Sequence, residues 1–144
     1  CCSVRGDLVR TLGQLAKRRK DFDAILLETT GLADPAPIVY TVQTNSKMSE
    51  NYFIDSIVCL ADAKHLQLHL DEVKPDGAVN EAYQQVAFAD KILLNKIDLV
   101  TPEEKKTLKE RLAKINKFAI TVETEKSRAP LGQILGLNAF NMES

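Results

Sequence analysis

No stretch of this chain approaches the roughly 20 consecutive apolar residues that a bilayer-spanning helix needs, and no secretory-leader pattern opens it. Nor does one sign of charge prevail. The 19 basic side chains meet 20 acidic ones, for a net charge of −1, which removes the electrostatic case for a nucleic-acid or anionic-membrane partner. Cysteine is scarce: Cys1 and Cys2 are adjacent, and Cys59 sits inside an apolar run. Three so placed make no disulfide framework, so a reducing, intracellular compartment is expected, cytoplasmic or organellar. Glycine and proline form no tract, and no block of like charge is long enough for a disordered tail. An initiator methionine is missing as well, and the abrupt Cys-Cys start reads as a piece of something longer.

What is present is the balance of a globular domain, 44% hydrophobic and 27% charged over 144 residues, enough to bury a core. Asp7 to Arg19 places Leu8, Val9, Leu12, Leu15 and Ala16 on one helical face. Ala24-Ile25-Leu26-Leu27 reads as a short buried strand ending in Glu28, followed by a turn-rich stretch and then Asp34-Pro35, an N-cap with proline at the first helical position. Residues 43–53 look like a polar surface loop, and Ile54 to Ala61 like a second strand ending at Asp62. A loop from Asp71 to Gly77 leads to a helix over Asn80 to Ala89, with Ala82, Val86 and Ala89 facing inward.

Ile92-Leu93-Leu94 is a third strand, running directly into Asn95-Lys96-Ile97-Asp98. Thr101-Pro102-Glu103-Glu104 is a capping box with proline in its first turn; it starts a helix whose Leu108, Leu112 and Ile115 form one stripe. Ala119 to Val122 makes a fourth strand, and Pro130 opens a short helix through Leu135. Strands alternating with helices predict an α/β fold with a mainly parallel sheet flanked by helices. Such sheets bind ligands beyond the carboxyl ends of their strands, here marked by Glu28, Asp62 and Asn95.

Three groups of residues carry chemistry. Guanine presents two donors, N1–H and the exocyclic amine, that adenine lacks. The Asp98 carboxylate is placed to accept both, while the Asn95 amide reaches the other edge of the base and the Lys96 stem covers its face. An ordinary polar strand-to-loop turn has the same composition. Glu28, at a strand end, can orient a magnesium-bound or attacking water, and Gly31 lets a backbone N–H approach a terminal phosphate. A strand, loop and capped helix without a ligand would look alike. Cys1 and Cys2 would need a further thiolate to make a soft site for Zn²⁺ or Cu⁺; otherwise they are two reduced cysteines at a helix start. His65 and His69 stand at i, i+4, a spacing able to bind metal with Glu72 nearby, but equally that of two unrelated surface histidines. Cys59 reads as a buried, inert thiol. Lys126-Ser127-Arg128 follows the last strand, where either a second base-contacting loop or a plain turn fits.

Taken in order, Cys1-Cys2-Ser3-Val4-Arg5-Gly6-Asp7-Leu8, Glu28 through Pro37, Asp62-Ala63-Lys64-His65 and Phe88 through Val100 resemble the CobW family along essentially the whole chain. His69 through Gly77 with Asn80-Glu81-Ala82 is most similar to the zinc-regulated GTPase metalloprotein activators and their plant relatives, which admits a plastid location. The resemblance implies a Rossmann-like P-loop GTPase of the SIMIBI class, related to hydrogenase- and urease-maturation GTPases. By that resemblance Glu28 and Gly31 belong to the Walker B and switch region, Asn95, Lys96 and Asp98 to the guanine site, and Cys1 and Cys2 to the end of a Cys-x-Cys-Cys metal motif. The family's Gly-rich loop, first cysteine and smaller C-terminal domain are not in this sequence. It is therefore expected to be a single, N-terminally incomplete GTPase domain over 1–144, inactive alone. The implied whole is a metallochaperone that uses GTP and Mg²⁺ and delivers Zn²⁺ to a client metalloprotein. A non-catalytic metal-buffering or scaffold module, or a cobalt-handling protein of cobalamin synthesis, are the rival expectations.

Overall fold

The computed structural model describes residues 2–75 and 78–139, with the side chains of residues 2–5 left aside. Three parallel strands, β1 (Val58–Asp62), β2 (Lys91–Asn95) and β3 (Ile120–Glu123), form one sheet in the order β1-β2-β3. The helices are α1 (Cys2–Ala16), α2 (Ala36–Thr44), α3 (Ser46–Ser49), α4 (Leu66–Leu70), α5 (Glu81–Ala87) and α6 (Pro102–Ile115), with 3₁₀ turns at Ile97–Leu99 and Leu131–Gln133; α1, α2 and α3 pack on one another. None of these helices is long and apolar enough to cross a membrane.

The register pairs Cys59 with Ile92 and Ala61 with Leu94. All four side chains are buried together with Val86 of α5 and with Leu108 and Leu112 of α6. The four-residue spacing of Leu108 and Leu112 puts both on one face of α6, and burying a leucine stabilises by about 1.5–3 kcal/mol. The helix starts where the sequence places it: Thr101 Oγ1 accepts from Glu104 N at 3.2 Å, and Glu104 Oε2 accepts from Thr101 N at 2.8 Å. Asn116 ends it and ties it to its neighbours. Its amide donates to the carbonyls of Val86, Ala87 and Ala89, at 2.9, 3.1 and 2.7 Å, and its Oδ1 accepts from the backbone amides of Phe118 and Ala119. One side chain thus closes the end of α5 and aims the chain into β3.

At the amino-terminal end of the sheet, Asp55 accepts from the backbone amides of Gly136, Leu137 and Asn138. Lys91, only 5% exposed, donates to Gln133 Oε1 at 2.8 Å. These contacts hold the segment after β3 across the base of β1 and β2.

Four expectations need correction. Ala24–Leu27 is not a strand: it pairs with nothing among the described residues, and Leu26 is 74% exposed. An apolar run has strand propensity, but a strand exists only with a ladder partner. Residues 43–53 are not a loop. They hold the end of α2 and all of α3, because Asn45 caps α3 through Met48 N at 3.3 Å and Met48 is an almost fully buried anchor. Asp34 does accept from Ala36 N at 2.9 Å, yet Pro35 is the cap residue and helix α2 begins at Ala36. The run opened by Pro130 is one 3₁₀ turn, Leu131–Gln133, rather than a helix to Leu135.

Candidate nucleotide site

At the carboxyl end of β2, the Asn95 side chain is gripped by the chain that follows β3. Its Oδ1 accepts from Ser127 N at 2.9 Å and from Thr124 Oγ1 at 3.2 Å, and its Nδ2 donates to Ser127 Oγ at 3.0 Å. Thr124 is 3% exposed, and its own amide extends the ladder to Leu94 O at 2.9 Å. The loop held in this way has Lys126 and Ser127 consecutively left-handed, at φ 50° and 55°. Each such non-glycine residue costs roughly 1–2 kcal/mol, so the Asn95 contacts help to maintain a shape the loop would not adopt alone. The post-β3 stretch therefore does sit against the Asn95 turn.

Lys96 is left-handed as well, at φ 62°, ψ 34°. Its ammonium reaches across to β1, where Asp62 Oδ2 accepts from Lys96 Nζ at 2.7 Å and from the ring Nδ1 of His65 at 3.0 Å. Asp62 Oδ1 meanwhile accepts from the amides of Lys64 and His65, at 2.9 and 3.3 Å. Partial burial raises the Asp62 carboxyl. The bonds from Lys96, His65 and Lys64, with the lysine charge, outweigh it and hold the carboxyl well below the usual carboxylate range. Asp98 follows in the 3₁₀ turn Ile97–Leu99 with its carboxylate exposed to solvent. Asn95, Lys96 and Asp98 thus follow one another along the carboxyl end of β2, flanked by Asp62, which the sequence marks only as a strand end, and by Thr124, which it does not mark.

Glu28 is exposed and Gly31 follows in an open turn. Gln85 of α5 fastens that turn by donating to Gly31 O at 3.1 Å and to Ala33 O at 2.9 Å. A Cβ at Gly31 would meet no atom within 4 Å, so this chain's own packing does not demand glycine there. No hydrogen bond joins Glu28 or Gly31 to Asn95, Lys96 or Asp98 among the described residues, although α5, which holds the Gly31 turn, leads directly into β2.

Cys1 lies outside the described residues, and Cys2 is known here only as the first residue of α1. His65 and His69 occupy the N-cap and the last turn of α4. Among the described residues no group of three or more His, Cys, Asp or Glu side chains could hold a metal ion. The Cys59 thiol is buried, and desolvation pushes its pKa up to about 11, which makes it inert.

Comparison with known proteins carries the same pattern. The CobW/HypB/UreG nucleotide-binding domain matches residues 1–123. Zinc-regulated GTPase metalloprotein activator 1 of Saccharomyces cerevisiae is 33% identical over 98% of this chain and 36% of its own length. The zinc chaperone YjiA of Escherichia coli is 35% identical over 99% of this chain and 44% of its own. The crystal structure of Zn(II)-bound YjiA GTPase superposes with a TM-score of 0.76 at 32% identity, covering 92% of this chain and 39% of that one. A Zn(II)-bound triple mutant of YjiA, with one glutamate and two cysteines replaced by alanine, superposes equally well. This chain thus spans well under half the length of these relatives, and by sequence and fold it belongs to the CobW/HypB/UreG nucleotide-binding domain family.

Proposed function

We propose that this chain carries the guanine-reading part of a GTP-binding and GTP-hydrolysing metallochaperone whose cargo is zinc. The observation that carries the reading is the grip of Asn95 on Thr124 and Ser127. It assembles two separate loops into one edge at the carboxyl end of a parallel sheet, the place where such folds bind ligands. On that edge Asp98 accepts the two guanine donors, the Lys96 stem lies against the ring face, and Asn95 fixes the loop that closes over the base. Glu28 orients the attacking water, and the Gly31 amide meets the terminal phosphate. Magnesium, when bound with the nucleotide, would neutralise charge on the phosphates.

Zinc as cargo is supported by the relatives' names and by the zinc-bound form of YjiA. In the intact protein Cys1 and Cys2 would provide two of its thiolate ligands, and a client metalloprotein would receive it. YjiA retains bound zinc with two of its cysteines replaced, so the thiolate assignment calls for a direct titration rather than a search for bound metal.

The deciding experiment is nucleotide titration of the intact protein carrying Asp98→Ala. GTP affinity is expected to fall by about 2–4 kcal/mol while ATP affinity hardly changes. Equal losses for the two nucleotides would show that Asp98 maintains the turn instead of reading the base.

A further inference from the structure

We propose that Asp62 is a positioning residue for base recognition: through Lys96 its carboxylate fixes how the Asn95–Asp98 turn is presented to a purine. The proposal rests on the guanine reading of that turn and adds a residue from another strand to it. Asp62 and Asn95 are direct partners in the β1–β2 ladder, and Ala63 N donates to Asn95 O at 2.9 Å. The two strand ends therefore move as one unit. From β1, Asp62 draws the long Lys96 side chain back across the strand ends by its 2.7 Å bond. A lysine stem is otherwise among the most mobile of side chains. Held at its tip and set in a left-handed backbone at its root, it lies in place before any nucleotide arrives, and a preorganised contact binds at less entropic cost.

The two oxygens of Asp62 divide the work. Oδ1 caps the turn after β1 through the amides of Lys64 and His65, while Oδ2 takes Lys96 and the His65 ring. A turn cap alone requires only an uncharged acceptor. In Asp62→Asn the amide oxygen takes over the cap, and the NH2 group that stands where Oδ2 was is a donor that cannot accept from the Lys96 ammonium.

The test uses the intact protein and two nucleotides, GTP and ITP. Hypoxanthine retains the ring face and N1–H of guanine but lacks the exocyclic amine. A stem that covers the face serves both bases alike, whereas Asp98 distinguishes them. Asp62→Asn is expected to weaken GTP and ITP by the same factor, about threefold to fivefold for a half-exposed charge pair, leaving their ratio unchanged. Lys96→Met, which keeps the apolar stem, is expected to cost the same, and the double variant no more than either single one. Unchanged affinity in Lys96→Met, or losses that multiply in the double variant, would overturn the proposal, and Lys96→Met serves even where Asp62→Asn fails to fold. A loss in His65→Ala as large as in Asp62→Asn would move the role to the histidine. Asp98→Ala separates the two levels. If it leaves the GTP-to-ITP ratio intact, the guanine reading fails; if the ratio collapses while Asp62→Asn is silent, only the positioning role fails.

Discussion

Asp55 concentrates three backbone donors, Gly136, Leu137 and Asn138, on one carboxylate. The bond from Asn138 leads in holding its pKa below the usual carboxylate range, against a smaller opposing effect of partial burial. A folded-state pKa below the unfolded one contributes stability above the unfolded value, near 4, that is lost as pH falls through the folded value. Acid titration followed by hydrogen exchange is thus expected to release the amides of residues 136–138 below about pH 4, ahead of the α6–β2 core. Asp55→Asn should flatten that acid limb without changing the shape of the curve near neutrality; an unchanged limb would assign the acid sensitivity elsewhere. At this scale the sequence was partly legible. Asn95, Lys96 and Asp98 announce themselves by order within four residues. Asp62 gripping Lys96 and Thr124 gripping Asn95 join residues about 30 positions apart, and a reading of local spacing has no access to such pairs.

An element is legible in the sequence where its boundary signal is local. The capping box of α6 is entirely local, so the sequence places its start correctly and its Leu108–Leu112 stripe with it. Ala24–Leu27 has comparable apolar content but no partner strand among the described residues, and a ladder is not encoded in one segment. The contrast is measurable by denaturant unfolding. Leu112→Ala, at a side chain 1% exposed, is expected to cost about 2–5 kcal/mol, and Leu26→Ala, at one 74% exposed, less than about 0.5 kcal/mol. A large loss for Leu26 would mean that the 24–28 segment is packed in solution after all. Polar appearance misleads in the opposite direction at residues 43–53, where one methionine is enough to anchor a short helix.

For the whole molecule, the proposal joins two ligands, a nucleotide at the sheet's carboxyl edge and zinc at thiolates that include Cys1 and Cys2. Thiolates bind zinc tightly only when deprotonated and held in tetrahedral geometry, so a small displacement weakens the site strongly. The intact protein is expected to bind zinc with different affinity in its GTP and GDP forms, by about 1–3 kcal/mol, and zinc must then alter nucleotide affinity by the same factor. Competition for zinc against a chelator, with each nucleotide bound, measures this. Replacing Cys1 and Cys2 by serine should abolish the coupling and leave discrimination by Asp98 untouched. Superimposable zinc curves would favour a buffering module over hydrolysis-driven release. The α/β class and the direction of the sheet were legible from strand–helix alternation, and the family from motif order. The sheet's extent was not, since the number of strands that pair is a property of the assembled ladder.

The two ends of β2 hold the same piece of returning chain, Asn95 at Ser127 and Lys91 at Gln133. Between these anchors β2 spans four residue steps, about 13 Å at strand rise. The return path has six steps, the last two wound into a 3₁₀ turn, so its reach is about 17 Å, lengthened at the far anchor by the Lys91 and Gln133 side chains. This segment ties one end of β2 to the other. At the proposed base site, a change at Gln133 would therefore reach the loop at Ser127 through this one segment, from the opposite pole of the sheet.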